Sequence, residues 1–220
     1  MSVVVERCKE SCVCWVIGLV LLFLLSGQCG EVRADGVQAS DRWVLSDFEL
    51  QKEGQEAWHR VTLPGTVQGS LVALGLLPDP FVGANEDSVQ WVSDNNWLYR
   101  ATLELEEGEL TRHDRFWLEM GSVDTFAEVY LNGALVGRCD NLFRHYRWEV
   151  KGYLRRGVNR LVIRLLSPLG VAHAQCLSNG FMYPADNDRG AVKYSPFGRT
   201  APSQYGGDWG PPLAALGVKE

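Results

Sequence analysis

Few residues of this chain have the types and spacing to do chemistry. In the stretch Tyr205-Gly206-Gly207-Asp208-Trp209-Gly210-Pro211 a carboxylate stands beside an indole. The carboxylate is a charged acceptor, so hydrogen bonds from hydroxyl groups to it are strong ones. The indole offers an apolar face and a single N–H donor. Gly210-Pro211 would fix the turn that presents both. The same four residues, Asp208 to Pro211, also suit a plain turn with no ligand. A second group, Asp140, Asn141, Phe143, Arg144, His145 and Tyr146, has the polar and aromatic mix of ligand-contacting or interdomain faces, and suits a loop packed on a sheet edge equally well. No catalytic set is legible. Glu106, Glu107 and Glu109 cluster because they share a turn, which reads as solvated. His59, His113, His145 and His173 lack metal-ligand spacing, and no Ser-His-Asp arrangement can be recognised. Neither a metal nor a cofactor is expected.

The elements that must position these residues read as strands and turns. The clearest signal is Val129-Tyr130-Leu131, then Asn132-Gly133, then Ala134-Leu135-Val136. Asn-Gly between apolar runs favours a type I′ hairpin, because both central residues take positive φ. Strands are expected at Ser40–Leu50, Trp58–Val61, Trp97–Leu105, Arg115–Met120 and Val158–Leu166. In the third of these, Trp97, Tyr99, Ala101, Leu103 and Leu105 face the core by the period of two. Phe116, Leu118 and Met120 do so in the fourth, with Trp117 on the second face. In the last, Val158, Leu161, Ile163 and Leu165 are the apolar choices. Thr66 caps a short helix running to Leu76, and Asn85–Val92 forms a short turn or helix. Strands spaced by turns with little helix argue for a mainly β fold, a β-sandwich. From Gly180 onward regular patterning is lost, and a stretch of that kind in a compact domain is usually functional or packs on something else.

With 46% hydrophobic residues, 220 residues can bury one sizeable core, as single sandwiches of this size do. The net charge is −6, and no run of Lys or Arg exceeds two, which argues against a nucleic-acid partner. At the N-terminus, Arg7 and Lys9 precede an apolar run from Val13 to Leu25, followed by small or polar residues at Ser26–Gly30. The run is shorter than the ~20 residues of a membrane span. It has the layout of a secretory signal, residues 1–30, whose removal would leave no membrane partner; an uncleaved anchor is the alternative. Cys8, Cys12, Cys14 and Cys29 would leave with it. Cys139 and Cys176 would remain, free or paired.

Several of these motifs together resemble the N-terminal sandwich of glycoside hydrolase family 2, and the β-mannosidases in particular. They are Gly121, Asp124, Ala127, Val129 and Leu131-Asn132-Gly133, followed by Asn141-Leu142-Phe143, Tyr146, Trp148 and Val150. Leu63-Pro64-Gly65-Thr66-Val67 and the run GVNRLVIRLLSP from Gly157 also match the family pattern, as do Phe197-Gly198-Arg199-Thr200 and the Asp208 motif at their mutual spacing. The resemblance covers roughly residues 40–213. It implies a jelly-roll-like, galactose-binding-domain-like β-sandwich over residues 31–180. It implies next an irregular loop region over 181–220 that ends before a catalytic barrel.

By the resemblance the loop reaches into the active site of a (β/α)₈ barrel, where Asp208 contacts the sugar and Trp209 walls the pocket. Two departures stand out. Gly207 replaces the family's first Trp, and Thr200 replaces its Lys. A retaining glycosidase needs two carboxylates ~5–5.5 Å apart, which the family carries in the barrel, so no catalytic residue is expected in this chain. The implied protein is an exo-acting β-mannosidase of the secretory pathway, lysosomal or extracellular, that removes terminal β-linked mannose from glycoprotein oligosaccharides. Its partners are a β-mannoside oligosaccharide and the barrel of the same polypeptide. A stand-alone secreted carbohydrate-binding module and a purely structural docking domain are the competing readings.

Overall fold

A computed structural model of the chain describes residues 3–8, 42–180 and 213–219. Two antiparallel sheets face each other. The six-stranded sheet has the order β10-β9-β12-β6-β3-β4, from β3 (Asp47–Lys52), β4 (His59–Thr62), β6 (Trp97–Leu105), β9 (Ala127–Leu131), β10 (Ala134–Cys139) and β12 (Gly157–Leu165). The four-stranded sheet has the order β11-β7-β1-β2, from β1 (Val3–Cys8), β2 (Arg42–Leu45), β7 (Arg115–Met120) and β11 (Tyr146–Glu149). A small third sheet sets β13 (Gly217–Val218) between β5 (Gly65–Thr66) and β8 (Val123–Asp124).

The longest pairing is β12 with β6, in register from Gly157 opposite Leu105 to Leu165 opposite Trp97. Trp97, Tyr99, Ala101, Leu103 and Leu105 are all buried, as their alternation requires, and so are Phe116, Leu118 and Met120 from the other sheet. A small apolar void between the sheets is lined by Val5 and Leu118 on one side and by Leu103, Leu131 and Leu161 on the other. Each large side chain fully buried here is worth about 1.5–3 kcal/mol. The Asn132-Gly133 turn has φ of 53° and 86°, the positive pair that a type I′ hairpin needs. Asn132 does more than turn the chain. Its Nδ2 donates to the carbonyl of Tyr153 and to Asn159 Oδ1, both at 2.8 Å.

That network overturns one expectation. Val158 is 53% exposed, and Asn159 takes the core-facing position in β12. Asn159 Oδ1 accepts from the Arg155 amide at 2.8 Å, and its Nδ2 donates to the carbonyls of Arg155 and Gly157. A buried amide with this many partners fixes the strand parity more firmly than one valine does. The glutamate turn is also not wholly solvated. Glu109, in the short helix α3 (Glu109–Arg112), is buried; it pairs with Arg7 and accepts from the Glu106 amide.

The stretch expected as a removable signal divides. Val3–Cys8 forms β1 in the sandwich, with Val3 and Val5 in the core. The apolar run Val13–Leu25 lies outside the described residues. Cys139 and Cys176 are both free and buried, and burial pushes the Cys139 thiol up to about 12. No helix among the described residues is long and apolar enough to cross a membrane.

Candidate functional site

Asp208 and Trp209 lie outside the described residues, as do Thr200 and Gly207. What the structure places is the root of the segment that carries them. Helix α1 (Val67–Ala73) is started by Thr66, whose Oγ1 accepts from the Gly69 amide at 3.0 Å, a side-chain cap of one otherwise orphaned donor. This sets Gln68 inward. After α2 (Asn85–Val89) and a 3₁₀ turn over Gln90–Val92, Ser93 lies beside it, and both side chains are buried. Gln68 Nε2 and Ser93 Oγ donate to the carbonyl of Ala214 at 3.1 and 2.6 Å. Gln68 Oε1 accepts from the Leu216 amide, and the Val67 amide donates to the Leu216 carbonyl at 2.8 Å.

The incoming limb is held at the same point. Ser167 Oγ donates to the Ser93 carbonyl at 2.7 Å, and the Ser167 amide donates to Asn96 Oδ1 at 2.8 Å. Ser167 also caps helix α4 (Pro168–Asn179), which ends on Gly180 at φ 74°. Ser93 therefore touches the start of the helix that leads into residues 181–212 and the segment that leads out of them. Buried polar groups must be satisfied, and these satisfy one another. Trp91, on the same turn as Ser93, is 39% exposed and packs on Trp97 with ring centroids 5.9 Å apart. Phe81 and Val82, between α1 and α2, are more exposed still.

The second sequence candidate is a turn. Tyr146 Oη accepts from the amides of Asp140 and Asn141, both at 2.9 Å, and the Tyr146 ring stacks on Trp148. Asn141 Oδ1 accepts from the Phe143 amide. These bonds account for Asp140, Asn141 and Tyr146 without a ligand. Phe143 alone of the group's large apolar side chains stays exposed.

A hollow of about 570 Å³ lies on the outer face of the six-stranded sheet, lined by Glu49, Arg60, Thr62, Arg100, Thr102 and Arg160 among others. Arg100 Nε meets Glu49 at 2.5 Å, and its guanidinium lies 3.9 Å over the Trp58 ring. The hydrogen bond from Arg100 holds the Glu49 carboxyl below its usual range. Further along the face Arg164 bridges Glu53 and Glu128. Glu53 is held low by its hydrogen bond from Arg164 first; Glu128 is held low by that from Tyr130 first and then by Arg164. This is a self-neutralised ionic surface. Neither the Gln68–Ser93 clamp nor this face was legible in the sequence, because both join residues far apart in the chain.

The model of the glycosyl hydrolase 2 galactose-binding domain-like family matches residues 48–220. The chain belongs to that family. Among its relatives, the β-mannosidase B of Aspergillus clavatus is 29% identical over 185 residues, 81% of this chain and 21% of the relative. The β-mannosidase of Mus musculus is 28% identical over 164 residues, 71% of this chain and 18% of the relative. Among solved structures, a β-D-mannosidase from Dictyoglomus thermophilum superposes with a TM-score of 0.70 and 36% identity, over 79% of this chain and 21% of that one. The chain thus spans about a fifth of the length of these proteins. It corresponds to the N-terminal, galactose-binding-like domain of the β-mannosidase homologues.

Proposed function

We propose that this chain is the sugar-binding sandwich of an exo-acting, retaining β-mannosidase, and that it lends residues to an active site completed by a barrel elsewhere in the polypeptide. Asp208 accepts hydroxyl hydrogen bonds from the terminal mannose, and Trp209 forms a wall of the pocket. The substrate is a β-linked mannoside at the end of a glycoprotein oligosaccharide. The protein works in the secretory pathway, in a lysosome or outside the cell. The reading is supported chiefly by the meeting at Ser93 of Ser167 and Ala214, which lie on the two sides of the stretch of sequence that carries Asp208 and Trp209. The likeness to β-mannosidases across most of the chain points the same way.

Acid/base and nucleophile carboxylates ~5–5.5 Å apart carry the retaining reaction, and the proposal assigns neither to this chain. The purified 220-residue chain, incubated with an aryl β-mannoside, should release no p-nitrophenol above a mock preparation. Release above that level would place the catalytic pair here and sink the division of labour.

A further inference from the structure

The outer face of the six-stranded sheet neutralises most of its own charge, but not all of it. In register, Glu49 of β3 stands between Arg60 of β4 and Arg100 of β6. It bonds to Arg100, whose guanidinium is held in turn against the Trp58 ring. Arg164 is taken by Glu53 and Glu128. Arg60 and Arg160 are exposed and form no ion pair among the described residues.

These two arginines frame one hollow. Both line it, and β4 and β12 are three places apart in the sheet order, about 14 Å at the usual strand spacing. The Glu49 carboxyl, held low first by its bond from Arg100, also feels the charges of Arg60 and Arg160, so both cations are close to the floor between them. Asp47, Thr62 and Thr102 line the hollow too, and their side chains have no hydrogen-bond partner among the described residues. Asp47 lies opposite Thr62, and Thr102 opposite Arg160. A second hollow, of about 370 Å³, adjoins at β4 and shares Arg60 and Thr62.

The unused groups are thus a guanidinium at each side, with a carboxylate and hydroxyls between them. A guanidinium fork matches a carboxylate in a bidentate pair. A carboxylate accepts from sugar hydroxyls, and threonine both donates and accepts. The whole chain carries a net charge of −6, so an anion is drawn here by local charge alone. We propose that this hollow binds a short acidic oligosaccharide, with Arg60 and Arg160 each taking a carboxylate and Asp47, Thr62 and Thr102 taking hydroxyls. The inference does not rest on the parts given above to Asp208 and Trp209.

The test is an amide NMR titration of the full chain with trigalacturonate at low salt. Saturable shifts should appear at Asp47–Glu49, Arg60–Thr62 and Arg100–Thr102, with a Kd in the millimolar range or tighter. Arg60→Gln and Arg160→Gln should each weaken binding about two- to fivefold, the worth of one exposed ion pair, and together about four- to 25-fold. Arg156→Gln removes an exposed arginine that pairs with Glu107 outside the hollow, and should leave the affinity unchanged. Maltotriose, an uncharged counterpart, should not bind, and citrate, with as many carboxylates but no sugar ring, should bind more weakly. Undiminished affinity in the double variant would overturn the proposal. So would equal affinity for maltotriose or citrate, or the absence of saturable shifts up to about 10 mM trigalacturonate.

Discussion

Asp124 is fully buried, and its Oδ2 lies 2.6 Å from Nζ of Lys219. The carboxylate belongs to β8, just past the four-stranded sheet, and the ammonium to the segment that leaves β13. The contact therefore ties the described segment 213–219 to the sandwich core. Thr125 Oγ1 shares the same carboxylate through its other oxygen.

Lys219→Met should destabilise the domain by about 2–4 kcal/mol, since removing one partner leaves a buried charge poorly compensated. Asp124→Asn combined with Lys219→Met should recover part of that loss. Chemical denaturation of the single and double variants measures both, and equal midpoints for wild type and Lys219→Met would show that the pair carries no stability.

Gly217 has no room for a side chain. A Cβ there would stand 2.4 Å from the Gly65 carbonyl oxygen and 2.7 Å from Thr66 Cα. Gly217→Ala should push β13 off β5 at a cost of about 1–3 kcal/mol, the range for overpacking. Gly152→Ala, where a Cβ meets nothing within 4 Å, is the control and should be near neutral. A Gly217→Ala melting temperature equal to that of the control would contradict the close approach.

The outer ionic face predicts a pH dependence. Glu53 and Glu128 have carboxyls held below the ordinary glutamate value of 4.5, chiefly by the hydrogen bonds from Arg164 and Tyr130 respectively. A depressed carboxylate adds stability that is present above its unfolded pKa and is lost as pH falls through the folded one. Stability should therefore decline below about pH 4.5, and Arg164→Met should flatten that decline while lowering stability at neutral pH. Unfolding curves from pH 7 to pH 3 supply the comparison; identical slopes for wild type and variant would remove Arg164 from the account.

Much of the fold was legible because local and tertiary demands agree. Trp97 to Leu105 alternate in sequence and in burial, and Asn132-Gly133 accepts the positive φ that its hairpin requires. The misses arise where a non-local partner decides. Val158 lost its place to Asn159 because the amide of Asn159 is bonded by residues of two other turns. Glu109 is buried because Arg7, over a hundred residues earlier, reaches it. β1 escaped notice because Val3-Val4-Val5 stands just ahead of the apolar run that marks a signal, and no local pattern says which strand will take it. α4 carried visible marks, Ser167-Pro168 at its start and Gly180 at its end, that the surrounding loss of periodicity obscured. Of the site, the sequence pointed to Asp208 and Trp209 through their resemblance to a family motif. The clamp of Gln68 and Ser93 on Ala214 appears only once the chain is folded.

The most direct test of the central claim is steady-state kinetics of the whole polypeptide that carries this domain, bearing Asp208→Ala. A charged acceptor of sugar hydroxyls is worth roughly 1.5–3 kcal/mol, so kcat/KM on an aryl β-mannoside should fall about 10- to 150-fold. The melting temperature should stay unchanged, and Asp208→Asn should keep part of the activity through its remaining acceptor oxygen. Wild-type kcat/KM in Asp208→Ala at an unchanged melting temperature would make the loop a plain turn and contradict the account.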